Sequence, residues 1–272
     1  MQTVPLAHQR WDGGGRLVLL LHGIGGGRFA WGDARAGTGA SLRDAGFDVM
    51  GVDLPGYGAS PIVDPLTIGA MARAALSCID WAGDQNAIVL GHSMGGMVAQ
   101  EMALIAPQRI AALVLSGTSP AFGKPDGGWQ QRFLAERLKP LNDGLGMAGL
   151  APQLVRAMCA PNASAAAIDA ASRLMASVPE PTYRAALRAL MGFDRRDNLS
   201  HLKMPVLLLA GELDPNAPPA VMQGMAQRIE GADFCCLPGV GHLANIEAPR
   251  AFVDAVVDFL RRVDQRLPER ST

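Results

Sequence analysis

The segment Ala-Ile-Val-Leu-Gly-His-Ser-Met-Gly-Gly, residues 87–96, decides the fold of this chain. Its first four residues are apolar and predict a buried strand, whereas residues 94–106 predict a helix. Between the two lies the pattern Gly-x-Ser-x-Gly, which in this context places Ser93 on a sharp strand-to-helix turn. Gly91 and Gly95 leave out the Cβ atoms that would clash in so tight a turn. The segment therefore predicts a candidate nucleophile whose hydroxyl is held clear of the backbone.

Short apolar runs on either side of this segment predict further strands. These runs are residues 16–21, 47–53, 111–116, 205–210 and 233–237. Strands that are apolar on both faces suit the centre of a parallel sheet. Apolar residues at three- and four-residue steps, as in residues 68–79 behind the N-cap candidate Thr67, predict amphipathic helices between the strands. This alternation predicts an α/β fold, a mostly parallel central sheet with helices on both faces.

The pattern changes between Phe122 and Leu202, where helix-forming residues dominate and no strand is predicted. The predicted helices there are residues 151–159, 163–178 and 182–191, and the prolines at 140, 152, 161, 179 and 181 are expected to break them. A last amphipathic helix is predicted over residues 249–263. We therefore expect one core domain, formed by residues 1–121 and 203–272 and split by a helical insertion over residues 122–202.

Composition limits the classes of function. The chain has 272 residues, of which 49% are hydrophobic, enough for a large buried core, and a net charge of -1 that favours neither nucleic acid nor an anionic membrane as a partner. Its first ten residues lack the pattern of a secretory signal, and no apolar run is long enough to span a bilayer. The four cysteines lack metal-ligand spacing and are expected to be reduced thiols in a cytoplasmic protein. The sequence implies no metal and leaves the oligomeric state open.

A serine hydroxyl needs a base within hydrogen-bond reach. His242 follows the last predicted strand in a glycine-flanked loop, at the edge of the sheet where α/β proteins carry their chemistry. His92, beside the nucleophile, is expected to point away from it and to be structural. The acid that orients the base should come between Ser93 and His242 in the chain, which favours Asp214 and leaves Glu212 as its rival.

Acyl transfer creates an oxyanion that requires preorganised hydrogen-bond donors. One candidate is the backbone N–H of Met94, directly after the nucleophile. The other belongs to the glycine-rich loop of residues 22–27, where Ile24 N–H is favoured and Gly25 N–H is the alternative. A phosphate-binding loop is disfavoured, because no Lys-Ser/Thr pair follows it. His22 is expected to brace this loop rather than to react.

With these residues in place, the chain resembles the α/β-hydrolase superfamily over nearly its full length. The segments that carry the resemblance are residues 21–23, Asp53 to Ser60, Gly91 to Gly96, Gly211 to Asp214, and Gly241-His242. Within the superfamily, the chain looks most similar to 3-oxoadipate enol-lactonases and their carboxylesterase relatives. That similarity lies in residues 93–100, 183–197 and 242–245, whereas the loop His22-Gly23-Ile24 is more similar to that of general esterases.

The resemblance implies hydrolysis of a small carboxylic ester or lactone through an acyl-enzyme, with a Ser93-Asp214-His242 triad and no cofactor. It also implies that the insertion is a helical cap over the active site. The pocket candidates are Trp31, Trp129, Phe133 and Phe193, with Arg28 or Arg132 as the group that meets a substrate carboxylate.

Three other functions use the same fold. Carbon–carbon bond hydrolases of ring-cleavage products generally carry an aromatic residue after the catalytic histidine, where this chain has Leu243. A ligand receptor on a hydrolase fold would bind without turnover. An acyltransferase would differ only in the group that accepts the acyl chain.

Overall fold

The computed structural model of the chain describes residues 6–123 and 128–265. Residues 1–5, part of the segment considered above for a secretory signal, lie outside the described residues, as do residues 124–127 of the insertion and 266–272 of the core domain. In the described ranges the strands are β1 His8–Trp11, β2 Leu17–Leu21, β3 Asp48–Val52, β4 Ala87–His92, β5 Ile110–Ser116, β6 Val206–Gly211 and β7 Asp233–Leu237.

The described helices follow the strands along the chain, and four of them come between β5 and β6 in the sequence. They are α1 Thr38–Asp44, α2 Ile68–Trp81, α3 Met94–Ile105, α4 Trp129–Asn142, α5 Gly146–Met158, α6 Ala165–Ala176, α7 Glu180–Met191, α8 Pro219–Arg228, α9 Ala244–Glu247 and α10 Pro249–Asp264. The four helices α4 to α7, hereafter the inserted helices, follow one another between β5 and β6.

The strands form one sheet in the order β1-β3-β2-β4-β5-β6-β7. β1 pairs antiparallel with β3, and every other neighbouring pair is parallel. The predicted fold class is therefore confirmed. The chain leaves β2 towards β3 on one side and returns to β4 on the other, so a topological switch point lies between β2 and β4. Such a switch opens a crevice at the carboxyl ends of the strands.

Alternating side chains of the central strands fill two separate cores. Leu17, Leu19 and Leu21 of β2 face one cluster, whereas Val18 and Leu20 face the other. All five are fully buried. Because a strand presents successive side chains to opposite faces, only a sheet covered by helices on both sides can bury such an unbroken apolar run.

Several short elements were not predicted, among them β1, α1 and α8. β1 has a single buried side chain, Trp11, so its pattern is too weak to indicate a strand. α1 begins Thr-Gly-Ala-Ser, a poor helix-forming sequence that packs into the core through Leu42. α8 contains Gly224 and packs through Met222 and Met225. In each case tertiary packing outweighs local propensity.

The structure also corrects the prediction that the prolines at 140 and 152 break helices, since Pro140 lies inside α4 and Pro152 inside α5. An interior proline costs about 3 kcal/mol of helix stability. In α5 that cost is offset by burial of Leu150, Leu154 and Val155, each worth about 1.5–3 kcal/mol.

Candidate active site

Ser93 lies at the turn from β4 into α3 with φ 54° and ψ -117°. It is the only non-glycine residue in the described ranges with a positive φ. A Cβ on Gly91 would lie 2.3 Å from the Gly95 carbonyl oxygen, and one on Gly95 would lie 2.1 Å from the Leu21 carbonyl oxygen. The chain is therefore forced through a space that only glycines allow. The strained turn lifts the serine out of the backbone at the switch point.

Three side chains from distant parts of the chain meet here. The Ser93 hydroxyl donates to His242 Nε2 over 3.0 Å, and the His242 Nδ1–H donates to Asp214 Oδ2 over 2.8 Å. His242 and Asp214 are both buried. With Nδ1 protonated toward the carboxylate, Nε2 carries the free lone pair. This is the tautomer in which imidazole can take a proton from a serine.

The second oxygen of Asp214 is fixed by the backbone. Asp214 Oδ1 accepts the N–H groups of Asn216 at 2.7 Å and Ala217 at 3.0 Å. Burial alone would raise the pKa of Asp214, but the neighbouring His242 and these N–H donors outweigh it and lower the pKa below its ordinary value. Glu212 instead accepts the Gly239 N–H at 2.7 Å, so the structure brings only Asp214 to the histidine.

The loop that carries His242 is anchored by Glu247, a residue that the sequence did not single out. Its carboxylate accepts the N–H groups of Gly241 at 3.1 Å, Leu243 at 2.9 Å and Ala160 at 2.8 Å. The His242 N–H also donates to the Met158 carbonyl at 2.9 Å. The histidine loop and the end of α5 are thus held by the same contacts.

Two backbone N–H groups, of Ile24 and Met94, belong to the segments that border Ser93 in the same cavity. Neither donates a hydrogen bond to any group in the described part of the chain. Gly25 also borders the cavity, so the geometry leaves the Ile24 and Gly25 alternatives open.

His22 holds this loop, as predicted from the sequence. Its Nδ1–H donates to the Gly23 carbonyl at 2.8 Å, and its Nε2 accepts the Leu54 N–H at 3.0 Å. Both ring nitrogens are therefore engaged in a neutral imidazole. Burial lowers the pKa of His22 to about 4. The ring braces the loop and has no free nitrogen for chemistry.

The structure corrects the expectation that His92 points away from the site. Its ring borders the cavity, with its centroid 5.0 Å from that of His242. Burial, with the neighbouring His242, lowers the pKa of His92 to about 3. A neutral ring at this position adds no positive charge that would compete with protonation of His242.

A cavity of about 180 Å³ opens in front of Ser93. The core contributes His22, Ile24, Trp31, Met94 and His242, and the inserted helices contribute Trp129, Phe133, Arg137, Met158, Leu174 and Met175. Of the predicted pocket aromatics, Trp31, Trp129 and Phe133 border the cavity, whereas Phe193 is buried elsewhere in the core. The walls are mainly apolar, as is usual for small-molecule sites.

Neither predicted pocket arginine borders the cavity. Arg28 forms an ion pair with the buried carboxylate of Asp53, so its charge is already matched. Arg132 is exposed, because it lies one residue before Phe133 and therefore about 100° around α4 from the cavity-facing side. The arginine that does border the cavity is Arg137, one helical turn after Phe133. The four-residue spacing from Trp129 to Phe133 was the signal that could have identified it.

Within the described ranges, no group of three or more His, Cys, Asp or Glu side chains is arranged to hold a metal ion. No helix in that part of the chain is both long and apolar enough to cross a bilayer.

Comparison with known proteins places this geometry in a family. The family described as α/β hydrolase fold matches residues 16–249. The chain belongs to the α/β-hydrolase family. This α/β hydrolase is 30% identical to a pimeloyl-acyl-carrier-protein methyl ester esterase of Photobacterium profundum, over 92% of this chain and 96% of the relative.

Two solved structures are similar over almost the whole fold. A thermophilic esterase from Thermogutta terrifontis has a TM-score of 0.82 at 29% identity, covering 95% of this chain and 93% of the esterase. The enol-lactonase from Burkholderia xenovorans has a TM-score of 0.81 at 25% identity, covering 94% of this chain and 96% of the lactonase. The chain is therefore an esterase-like hydrolase of the α/β-hydrolase fold.

Proposed function

We propose that this α/β hydrolase cleaves a small carboxylic ester or lactone through an acyl-enzyme on Ser93. One observation carries the proposal. His242 lies 3.0 Å from the Ser93 hydroxyl on one side and 2.8 Å from Asp214 on the other, in front of a small apolar cavity. A serine so placed can lose its proton to imidazole as it attacks a carbonyl carbon.

In the first half-reaction, Ser93 Oγ bonds to the substrate's carbonyl carbon while His242 Nε2 takes the serine proton. The imidazolium that forms is stabilised by the Asp214 carboxylate, which stays ionised because its pKa is lowered. The oxyanion meets the N–H of Met94 and that of Ile24 or Gly25, with the N-terminus of α3 behind it. Collapse of the resulting tetrahedral intermediate breaks the carbon–oxygen bond of the ester, and His242 gives the proton to the leaving alkoxide.

In the second half-reaction, water attacks the acyl-enzyme with His242 as base, and the acid leaves as Ser93 regains its proton. The names of the relatives support this chemistry, since they include a methyl ester esterase, a thermophilic esterase and an enol-lactonase.

In this proposal the insertion of residues 122–202, which contains the inserted helices, is a cap over the active site. They supply the side of the cavity that faces Ser93 across the bound substrate, through Trp129 and Phe133 of α4 and Met175 of α6. Their apolar side chains exclude water from the alkyl parts of the substrate and strengthen the polar interactions at the carbonyl.

A rate profile tests the proposal. Wild-type protein is offered short aryl and alkyl esters and unsubstituted lactones, with Ser93→Ala as the blank, and a fluorophosphonate probe counts reactive serines. We expect turnover and stoichiometric labelling for the wild type and neither for Ser93→Ala. Circular dichroism should show that Ser93→Ala is folded, because the substitution removes only one hydroxyl.

Other outcomes identify the other functions. Labelling without turnover on the whole panel would indicate a ligand receptor. Faster cleavage of a vinylogous diketone than of any ester would indicate a carbon–carbon bond hydrolase, against which Leu243 already argues. Acyl transfer to an added alcohol in preference to water would indicate an acyltransferase.

A further inference from the structure

Tyr57 lies in the segment Asp53 to Ser60, which supplies no member of the proposed triad, and its side chain is fully buried. The Tyr57 hydroxyl donates to the Ile24 carbonyl over 3.2 Å. Burial raises the pKa of Tyr57, so the hydroxyl keeps its proton and remains a donor. This bond joins the segment to the glycine-rich loop of residues 22–27, which contains the candidate oxyanion donors.

The carbonyl that Tyr57 holds belongs to the peptide between Ile24 and Gly25. In a planar trans peptide the C=O and the N–H point in opposite directions, so this bond also fixes the direction of the Gly25 N–H. Ile24 and Gly25 border the cavity, whereas Tyr57 is not among the described residues that do. The bond therefore directs the carbonyl away from the cavity and leaves the N–H side of the peptide towards it.

The glycine in this loop would allow the opposite orientation of the peptide. The Gly26 N–H donates to the Gly23 carbonyl over 3.0 Å, so residues 23–26 form a β-turn with Ile24 and Gly25 at its centre. Turns of types I and II differ by a flip of the central peptide, and a glycine at the third position suits type II. The φ of Gly25 is not positive, which excludes type II. The structure thus adopts the orientation in which Tyr57 holds the carbonyl.

Tyr57 is itself fixed by its surroundings. Its ring packs edge-on against the ring of His22, with 4.6 Å between the ring centroids. The Tyr57 N–H donates to the Leu54 carbonyl over 2.9 Å, and the Tyr57 carbonyl accepts the Ser60 N–H at the same distance. The hydroxyl is therefore a preorganised donor, and holding it in place costs nothing when a substrate binds.

We propose that Tyr57 is a positioning residue for the oxyanion site. Its hydroxyl keeps the Ile24 carbonyl away from the reacting group, so that the loop presents N–H donors to the oxyanion rather than a partial negative charge. Neither the Ile24 N–H nor the Gly25 N–H donates to a group in the described part of the chain, so either can meet the oxyanion. The inference rests on the proposed ester or lactone hydrolysis at Ser93.

The test removes one hydroxyl at a time. Tyr57→Phe takes away the donor and keeps the ring. Tyr183→Phe is the matched control, because it makes the same change at the only other tyrosine in the sequence, which is also buried. Wild type and both variants are assayed with a neutral aryl ester, with Ser93→Ala as the blank.

Two ligands separate the oxyanion from ordinary binding. The first is an alkyl trifluoromethyl ketone: Ser93 Oγ bonds to its carbonyl carbon, His242 takes the serine proton, and the ketone oxygen becomes an oxyanion. The second is the trifluoromethyl alcohol of the same chain, which has no carbonyl to accept the serine. Only the first ligand places a negative charge at the proposed donors, so it resembles the transition state.

We expect Tyr57→Phe to lower kcat about 10- to 30-fold with little change in KM, which is less than the roughly 10²- to 10³-fold loss on removing an oxyanion donor itself. The affinity for the ketone should fall by a similar factor, and the affinity for the alcohol should stay the same. Tyr183→Phe should change none of these values by more than about twofold.

A second substitution tests the peptide flip directly. Alanine at residue 25 disfavours the positive φ that a type II turn needs, and its Cβ would lie 2.3 Å from Met175 Cε, the flexible end of that side chain. In the Gly25→Ala background the flipped turn is no longer accessible. There Tyr57→Phe should cost less than about threefold in kcat.

Three results would overturn the assignment: an unchanged kcat in Tyr57→Phe, equal losses of affinity for the ketone and the alcohol, or the same cost of Tyr57→Phe in both backgrounds. Loss of the fold in Tyr57→Phe would likewise show a packing role only. If the wild type neither hydrolyses the ester above the Ser93→Ala blank nor binds the ketone more tightly than the alcohol, the proposed function itself has failed.

Discussion

The two sides of the cavity are built in different ways. On the core side, the groups around the candidate base have fixed partners: Asp214 is held by two backbone N–H groups, His22 by two bonds, and the His242 loop by Glu247. On the side of the inserted helices, the described residues of the wall are mainly aromatic and apolar, among them Leu174 and Met175, together with the cation of Arg137. Methionine and leucine side chains adapt their shape more readily than a hydrogen-bonded network.

From this difference we infer that separate parts of the chain carry the reaction and the selectivity for substrate. We expect substitutions on the core side to act mainly on kcat or on folding, and substitutions in the inserted helices to act on the choice of substrate. Each prediction below would sharpen or break that division.

The largest effect is expected from Asp214, the proposed acid of the triad. Asp214→Asn should lower kcat about 10⁴-fold, because the amide no longer fixes the tautomer or stabilises the imidazolium. Steady-state kinetics on a neutral aryl ester measure this loss. Glu212→Gln is the control two residues away and should have little effect, since Glu212 is bonded to Gly239. Comparable losses in both variants would mean that the acid is misassigned.

The next effect concerns stability in acid. The pKa of His22 is about 4 in the folded protein against 6.5 for the ordinary side chain. Between these pH values the unfolded chain binds the proton and the folded protein does not. The contribution of neutral His22 to the free energy of unfolding is therefore fully present above pH 6.5 and is lost as the pH falls towards 4. The loss is about 3 kcal/mol, roughly a factor of 100 in the unfolding equilibrium.

Urea unfolding of wild type and His22→Asn across this pH range measures the contribution. The variant should depend less on pH, although His92, whose pKa is also lowered, acts in the same direction. His201→Gln is the control, because His201 is exposed. If the free energy of unfolding of His22→Asn depended on pH as steeply as that of the wild type, proton uptake by another group would dominate.

Glu247 tests whether the anchor of the histidine loop belongs to the catalytic side. Glu247→Gln replaces a charged acceptor of three N–H bonds with a weaker one. We expect kcat to fall about tenfold with little change in KM for a neutral ester, because the imidazole loses its alignment. Glu230→Gln is the matched control, because Glu230 forms an exposed ion pair with Lys203. A change in KM alone would contradict the division between the two sides.

The smallest effect is expected in the wall of the cavity that the inserted helices form. Leu174→Ala should widen the cavity next to α6 and raise the relative kcat/KM for a longer acyl chain about fivefold, with turnover of the shortest ester nearly retained. Leu174→Met conserves volume and should leave the chain-length profile unchanged. A large fall in kcat on every ester would show that this wall also positions the chemistry.

The sequence predicted the core side better than the inserted helices, for a physical reason. Ser93 and His242 occur in short patterns that reflect local requirements, a glycine-flanked turn and a loop at a strand end. The choice between Asp214 and Glu212 depended on which carboxylate the turn after β6 directs to the histidine, and two residues of spacing did not decide it. The backbone N–H groups that hold Asp214 were visible only in three dimensions.

The residues missed were those whose role depends on packing between elements. Arg137 has no motif, and its place at the cavity follows from the rotation of α4 fixed by Trp129 and Phe133. Arg28 was predicted to meet a substrate carboxylate, and the structure shows that it forms an ion pair with Asp53 instead. Glu247 accepts hydrogen bonds from groups that are close in space, and one of them, the N–H of Ala160, is far away in the chain.

The order along the chain of the four segments proposed to act in catalysis has a consequence for synthesis. Ile24 follows β2, Ser93 follows β4, Asp214 follows β6 and His242 follows β7, so the proposed base is the last of these groups to emerge from the ribosome. Until then the serine has no partner able to accept its proton. The serine hydroxyl is therefore not activated in a nascent chain. We expect the return of esterase activity after denaturation to report the docking of the C-terminal segment rather than the first collapse of the sheet.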